Sequence, residues 1–291
     1  MSKKSILAIG INVNVDEKKK IQKKLNSKNI LLDFASIKDL FLKIVDGEIF
    51  AKVLNKDFKD YDYVWIQSGW NTTHMAYLLH LYFKSKKIKH NKTNIHNTKL
   101  SDLLFLSLNG VRVPNTFFHN GLQINSEIIL EIERVCKLPC IYKTLLGSCG
   151  DKVHLIEKKE DIGRTIKENG RFNRYIFQEY ISNDFDYRVV VSNGEPISVC
   201  RRIRTTDEYR NNVALGAKEE FLGINEVPKS VLDIAIQSAK ALKLRWAGVD
   251  VLTDKNTNKN YVLEVNRRPG LTENSSEVLA AYEYVLKLAS V

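Results

Sequence analysis

Two carboxylates and a carboxamide near the C-terminus carry the most chemical information in this sequence. Asp250 lies inside an apolar stretch, Ala247-Gly-Val-Asp-Val-Leu252, and Glu264 and Asn266 lie two apart in Tyr261-Val-Leu-Glu-Val-Asn266. Strand alternation puts Glu264 and Asn266 on one face. The short polar connection between the two stretches suits an antiparallel hairpin, which brings Asp250 close to that pair. Acids inside apolar strands are uncommon without a partner. Hard oxygen donors of this kind suit Mg²⁺, whose remaining positions phosphate oxygens can fill. The competing reading is a polar face paired with Lys or Arg.

Three further sets are weaker alone. Lys143 stands near the end of an apolar segment and before Gly147-Ser148-Cys-Gly150. Backbone amides of such a loop, with one ammonium, can surround a polyphosphate, although an ordinary hairpin loop explains the pattern equally well. Phe177-Gln178-Glu179-Tyr180-Ile181, followed by Asp186-Tyr-Arg188, can offer a strand end to an adenine edge and a carboxylate to ribose hydroxyls; it can also be only a strand end. Arg202 and Arg204 alternate along a segment that also holds Arg201, with Arg210, Asn211 and Asn212 beyond. Guanidinium groups so placed clamp anionic oxygens, or else pair on the surface with Asp207, Glu208, Glu219 and Glu220.

The elements that must position these groups follow from periodicity. Strands are expected at Ile6–Gly10, Ile30–Phe34 and Tyr61–Gln67, and helices at Asp16–Ser27, Lys38–Val45 and Thr72–Lys86. That alternation predicts a parallel sheet flanked by helices. No Gly-x-Gly-x-x-Gly follows the first strand, which argues against a dinucleotide site. The polar Asn91–Thr98 stretch marks a domain boundary. Beyond it come a helix at Lys99–Asn109, strands at Cys140–Leu145, Val153–Lys158 and Tyr175–Tyr180, and a helix at Asp161–Asn169. Strands at Arg188–Ser192, Pro196–Arg204, Trp246–Thr253 and Asn260–Val265 then form a set that reads as antiparallel. Asn193-Gly194 is a strong two-residue hairpin signal, and helices at Ser230–Leu244 and Glu277–Ala289 cover the set.

Composition excludes more than it identifies. The chain has 291 residues, 44% of them apolar, and no apolar run approaches the roughly 20 residues needed to span a bilayer. The short apolar stretch after Met-Ser-Lys-Lys-Ser reads as a first buried strand rather than a signal peptide, so a cytoplasmic protein is expected. Forty-five basic against 34 acidic residues give +11. The surplus is mostly lysine spread over helix faces, so it supports nucleic-acid binding poorly. Cys136, Cys140, Cys149 and Cys200 do not form a metal pattern and read as reduced thiols.

Taken in order, these segments resemble the ATP-grasp superfamily, and within it the RimK-like carboxylate–amine ligases. The resemblance is carried by Thr98-Lys99-Leu100 with Val113-Pro-Asn-Thr116, then Ile141-Tyr-Lys143, Gly147–Gly150 and Val153–Glu157. It continues through Phe177–Ile181, Asp186-Tyr-Arg188, Arg202 and Tyr209-Arg-Asn-Asn212 with Gly216. It closes with Ala247–Asp250, Leu263–Asn266 and Pro269-Gly270. It covers nearly the whole chain and is looser before Asn91.

The resemblance implies an α/β and α+β fold. An N-terminal parallel α/β domain (1–95) would precede a central and lid subdomain (96–180) and a C-terminal subdomain (181–291), the last two gripping ATP. It implies that Lys99 and Lys143 hold phosphates under the Gly147, Ser148 and Gly150 loop. Gln178, Glu179, Tyr180 and Ile181 would face adenine, and Asp186 would lie near the ribose. Asp250, Glu264 and Asn266 would bind two Mg²⁺ ions, with Mn²⁺ as a substitute, and Arg202 and Asn212 would face the γ-phosphate and the acyl phosphate. Arg188, Arg204, Arg267 and Arg268 are candidates for substrate contact.

The implied reaction joins a carboxylate to an amine on an amino acid, peptide or protein tail; a homo-oligomer is compatible with it. A D-alanine–D-alanine-type ligase, suggested by Asn266-x-x-Pro-Gly-Leu-Thr272, and a non-catalytic ATP-binding regulator are the alternatives. Several positions depart from the family pattern. Asp151-Lys152 stands where relatives carry a further glycine, Leu215 and Ala217 flank Gly216, and Arg267-Arg268 is an unusually basic pair.

Overall fold

Apolar, β-branched runs separated by lysine-faced helices build the first sheet. In the computed structural model β1 (Lys4–Ile9), α1 (Val15–Asn26) and β2 (Ile30–Ala35) lead into β3 (Leu40–Val45) and β4 (Glu48–Val53), then β5 (Tyr63–Ile66) and α2 (Thr73–Ser85). The structure describes the chain except residues 1–2, 12–13, 54–55, 70, 94–97, 121–124, 146–151, 170–173, 206–207 and 291. β1 pairs in parallel with β2 and with β5, in the order β2-β1-β5. The parallel sheet read from the sequence is therefore present. Leu7, Val64, Leu79 and Phe83 are fully buried in its core. Gly10 closes β1 at φ +82°, and a Cβ there would lie 2.3 Å from the Gln67 carbonyl oxygen. Only glycine permits that approach between the ends of β1 and β5.

The helix expected at Lys38–Val45 is absent. Residues 40–45 instead form β3, antiparallel to β4, with Ile44 opposite Ile49. Asp46 and Gly47 both hold positive φ, 50° and 79°, as a two-residue hairpin turn of the primed type requires. Leu40, Phe41, Ile44 and Val45 fit helical and strand periods alike, and the Asp-Gly turn decides between them.

Two further sheets follow. α3 (Lys99–Leu108), β6 (Thr116–Phe117), α4 (Ser126–Cys136), β7 (Cys140–Thr144), β8 (Val153–Ile156), α5 (Lys159–Asn169) and β9 (Tyr175–Glu179) form the first, with strand order β6-β9-β7-β8. Ile132, Tyr142, Ile162 and Phe177 anchor its core. β10 (Phe185–Ser192), β11 (Glu195–Ile203), β12 (Lys218–Leu222), α6 (Lys229–Ala241), β13 (Trp246–Thr253) and β14 (Asn260–Asn266) form the second, with order β12-β11-β10-β13-β14. Sequence periodicity missed α4, β12 and the β3–β4 hairpin. The chain ends in α7 (Ser276–Ala289), which packs on β1 and α1.

The chain divides into two units. One holds Met1–Asn97, Arg245–Gly248 and Asn266–Val291; the other holds Thr98–Leu244 and Val249–Val265. The C-terminal helix thus belongs with the N-terminal sheet, a return that a division into 1–95, 96–180 and 181–291 does not contain. Trp65, Trp246 and Tyr284 form one aromatic cluster there, with centroids 4.9 to 5.6 Å apart. Cys136, Cys140 and Cys200 are buried thiols outside any disulfide, and burial pushes Cys136 and Cys140 up to about 12. Among the described residues no helix is long and apolar enough to cross a membrane.

Candidate active site

The most ordered polar feature is a chain of four alternating charges across β11, β10 and β13. Arg202 is 6% exposed and donates from Nε and Nη2 to the two oxygens of Asp186, at 2.6 and 2.7 Å. Its Nη2 also lies 3.1 Å from Asp250 Oδ2. Arg188 donates from Nε and Nη2 to both oxygens of Asp250, at 2.9 and 3.0 Å. Burial alone would raise Asp250, but the guanidinium groups of Arg188 and Arg202 outweigh it and hold the carboxyl at about 2. Asp186 has one guanidinium in contact rather than two; burial prevails over it and lifts that carboxyl to about 6. Arg202, between two carboxylates, is held further toward its charged form.

The sequence placed Asp186 near a ribose. Here both its carboxylate oxygens are taken by Arg202, so in this structure it acts as that arginine's holder. The surface-pairing reading of the arginines applies to others in the group: Arg201 bonds Glu220, and Arg210 chelates Glu208 at 2.8 Å through both Nε and Nη2. Arg204 lies just past β11, 3.4 Å from Asn183 Oδ1 and 3.8 Å from Asp184.

Glu264 and Lys143 form the second half of the site. Glu264 lies on β14, the neighbour of β13, and its carboxyl is raised by burial and by Asp250, against the opposing pull of Lys99, Arg188 and Lys143. Lys143 is the penultimate residue of β7. Burial draws its ammonium down to about 8, helped by the charge of Lys99 and opposed by Glu264 and Asp250. Lys99 opens α3, where Thr98 and Ser101 form a reciprocal capping box. Four cations therefore gather around Asp250 and Glu264, with Asp186 behind Arg202. Such a set is suited to a polyanion.

The donor set also fits a hard divalent cation. Two mutually repelling carboxylates lie close enough to raise Glu264, and Asn266 ends β14 two residues beyond it, on the same strand face. No cluster of three or more His, Cys, Asp or Glu suited to a metal occurs among the described residues; the third donor that the sequence offers, Asn266, falls in the other unit. At Asp250 two guanidinium groups supply the compensating positive charge.

The remaining expected residues divide into inward-facing and open ones. Gln178 is 1% exposed and donates to Thr116 Oγ1 at 3.0 Å, which ties β9 to β6. Ile181 is buried, while Glu179 and Tyr180 are half-buried. Glu179 accepts a long bond from the Asn115 amide, 3.4 Å, beside the 2.8 Å bond from its own amide to the Asn115 carbonyl. Asn212 caps the short turn Val213–Leu215 by accepting from the Ala214 amide at 2.9 Å. Tyr209, three residues earlier, donates to the Val153 carbonyl at 2.7 Å and so fixes that loop against β8. Gly147, Ser148 and Gly150 lie outside the described residues.

The depressed ammonium of Lys143 makes a pH prediction. Below pH 8 the group is already charged, and binding a polyanion beside it changes little. Between pH 8 and its usual value of 10.5 the ligand-free side chain is largely neutral, so anion binding must restore the proton. Calorimetry at pH 9 in buffers of different ionisation enthalpy should show uptake of about one proton per ATP, vanishing at pH 7. Lys143→Arg should abolish the uptake, because its guanidinium stays charged.

Comparison with known proteins gives three results. A family model described as RimK-like ATP-grasp domain matches residues 96–284. A protein of Rhodopirellula baltica named probable alpha-L-glutamate ligase is 29% identical over 239 residues, covering 79% of this chain and 56% of that protein, so the match spans little more than half of its length. Among solved structures, the ATP-grasp ligase PsnB, determined with a phosphomimetic variant of its minimal precursor, Mg and ADP, superposes with a TM-score of 0.69 at 16% identity, covering 99% of this chain and 100% of that one. The D-alanine–D-alanine ligase of Bacillus anthracis does so with 0.66 at 16% identity and 99% coverage of each chain. At these identities the two structures share the fold with this chain and no more.

Proposed function

The chain belongs to the RimK-like ATP-grasp family and has the ATP-grasp fold, and from that premise we propose that it is an ATP- and Mg²⁺-dependent ligase joining a carboxylate to an amine. The observation that carries this reading is the gathering of Lys99, Lys143, Arg188 and Arg202 around Asp250 and Glu264. In the reaction an oxygen of the substrate carboxylate attacks the γ-phosphorus and ADP leaves, giving an acyl phosphate. The amine nitrogen then attacks the acyl carbon, phosphate departs, and the nitrogen loses its proton.

Each residue has a part that needs no covalent chemistry. Lys99 and Lys143 hold the triphosphate and offset charge that spreads during transfer. Arg202, fixed through Nε and Nη2, keeps Nη1 outside those bonds and available to an oxygen of the transferred group. Asp250, Glu264 and Asn266 would hold two Mg²⁺ ions, or Mn²⁺ in their place, which would supply charge neutralisation for the phosphates. Glu179 and the main chain of Gln178–Ile181 would receive the nucleobase, and Asn212 would lie beside the acyl phosphate. The amine would belong to an amino acid, a peptide or a protein tail; the name of the Rhodopirellula baltica relative, probable alpha-L-glutamate ligase, supports an amino-acid substrate.

The test is a panel of amino acids and peptides incubated with ATP and Mg²⁺, read by phosphate release and product mass. ADP together with a product heavier by one condensed residue supports the ligase. Stoichiometric ATP binding with no phosphate release for any pair points to the regulator instead, and a D-alanyl dipeptide as the preferred product points to the other ligase class.

A further inference from the structure

The C-terminal ends of β1 and β5 hold polar groups that the phosphate site does not use, all in the unit containing the N-terminal sheet. Gln67 follows β5 and is 2% exposed, and its Nε2 is buried without a hydrogen-bond partner. Two residues on, a Cβ built at Gly69 would lie 3.6 Å from Asn71 Oδ1 and 3.9 Å from Arg268 Nη1, so the guanidinium lies against that loop. Arg268 is half-buried, and its Nε is buried and unpartnered. Burial depresses its guanidinium, and no carboxylate offsets the effect. α2 starts from the same loop; Thr72 makes no side-chain cap bond and the first turn carries no acid.

Every unsatisfied group in this set is a donor. Buried donors without acceptors are rare, and each needs a reason. A half-buried guanidinium whose Nε is wholly buried and unpaired is the most demanding among them. The ligand that completes such a set is an anion with at least two acceptor oxygens, since Arg takes a planar carboxylate through two parallel bonds. First-turn amides favour negative charge as well, and ligands of open parallel sheets gather at the carboxyl ends of the strands.

We propose that Arg268, Gln67 and the first turn of α2 form a carboxylate-binding subsite, which takes a carboxylate of the acid or amino-acid substrate that is not the one being activated. Its role as a substrate subsite rests on the ligase reading; its binding of a carboxylate does not.

The test uses the full chain and direct binding, at constant ionic strength. L-glutamate should raise the melting temperature in a saturable way, whereas L-glutaminamide, which has no carboxylate, should not. Inorganic phosphate should bind more weakly than glutamate. Arg268→Gln should raise the apparent Kd for glutamate at least tenfold, and Arg268→Lys less. Gln67→Leu removes the orphaned amide, so the ligand-free protein should melt no lower while glutamate binding weakens.

Equal shifts with glutamate and glutaminamide, no shift with either, preference for phosphate, or unchanged affinity in Arg268→Gln would overturn the proposal. So would a Gln67→Leu variant that loses melting temperature but keeps its affinity. A Mg²⁺–ATP titration of the same wild-type sample separates the two readings: absence of an ATP shift removes the ligase, whatever glutamate does.

Discussion

Lys143→Ala is expected to stop ADP formation, by roughly 10³-fold or more, while the protein folds as before. The rate loss follows from position. Lys143 is the ammonium on β7 that feels Glu264 and Asp250, and transfer of a phosphoryl group depends almost wholly on such fixed charge. The stability expectation has the opposite sign from that for a typical ion pair. Burial holds the Lys143 pKa in the fold at about 8, below its usual 10.5, so between those values the unfolded chain binds more protons. Stability gained from this group therefore grows as pH rises from 8 toward 10.5, and below pH 8 the buried charge is a cost. Removing the side chain takes that cost away, so the melting temperature at pH 7 should hold or rise. Glu264→Gln shares the logic: its carboxyl is raised by burial and by Asp250, and the isosteric amide suits the ligand-free site. Full turnover in either variant, measured by phosphate release with a productive acid and amine, would falsify the assignment of the phosphate site.

The residues of that site were legible as types before they were legible as partners. Asp250, Glu264, Lys143 and Arg202 stand out because charged groups in apolar strands need compensation, and the fold supplies it. Their pairing depends on register, which the sequence hides. The Asn193-Gly194 turn sets Ser192 opposite Glu195 and Val191 opposite Pro196. Continued without interruption, that register would put Arg201 across from Asp186. A bulge between Val190 and Val191 shifts β11 by one residue, Val190 faces Ser198, and Arg202 comes opposite Asp186. A shift of one residue reverses every side chain's face, so the bulge sends Arg202 to the acids and Arg201 to Glu220. The extra residue is Ile197 on β11, and the neighbouring Pro196, which has no N–H to give the ladder, is the one hint of it in the sequence. The first hairpin shows the converse: Asp46-Gly47 is a turn signal present in the sequence, and in the fold it overrides the helical spacing of Lys38–Val45. The Gln67–Arg268 group was half visible. Arg268 stood out as basic, but an unpaired Nε2 on Gln67 is a property of packing.

Asp186→Ala should destabilise the fold by about 3 kcal/mol. The pair is buried, Arg202 and Asp186 being 6% and 4% exposed. Removing one partner leaves a guanidinium that water cannot reach. Asp250, still 3.1 Å from Arg202 Nη2, softens the loss and places it at the low end of the usual range for broken buried pairs. Urea denaturation followed by far-ultraviolet circular dichroism measures the change. Adding Arg202→Met to Asp186→Ala should return part of the stability, because the orphaned charge is then gone, whereas activity should stay lost without Arg202. The double-mutant cycle isolates the coupling. If instead Asp186→Ala keeps its stability and loses only ATP affinity, the carboxylate serves the nucleotide, as the sequence alone suggested. Arg202 would then be held chiefly by Asp250. That outcome would also change the expected effect of cation entry. A cation that takes Asp250 from both arginines leaves Arg202 in place only if Asp186 can hold it alone.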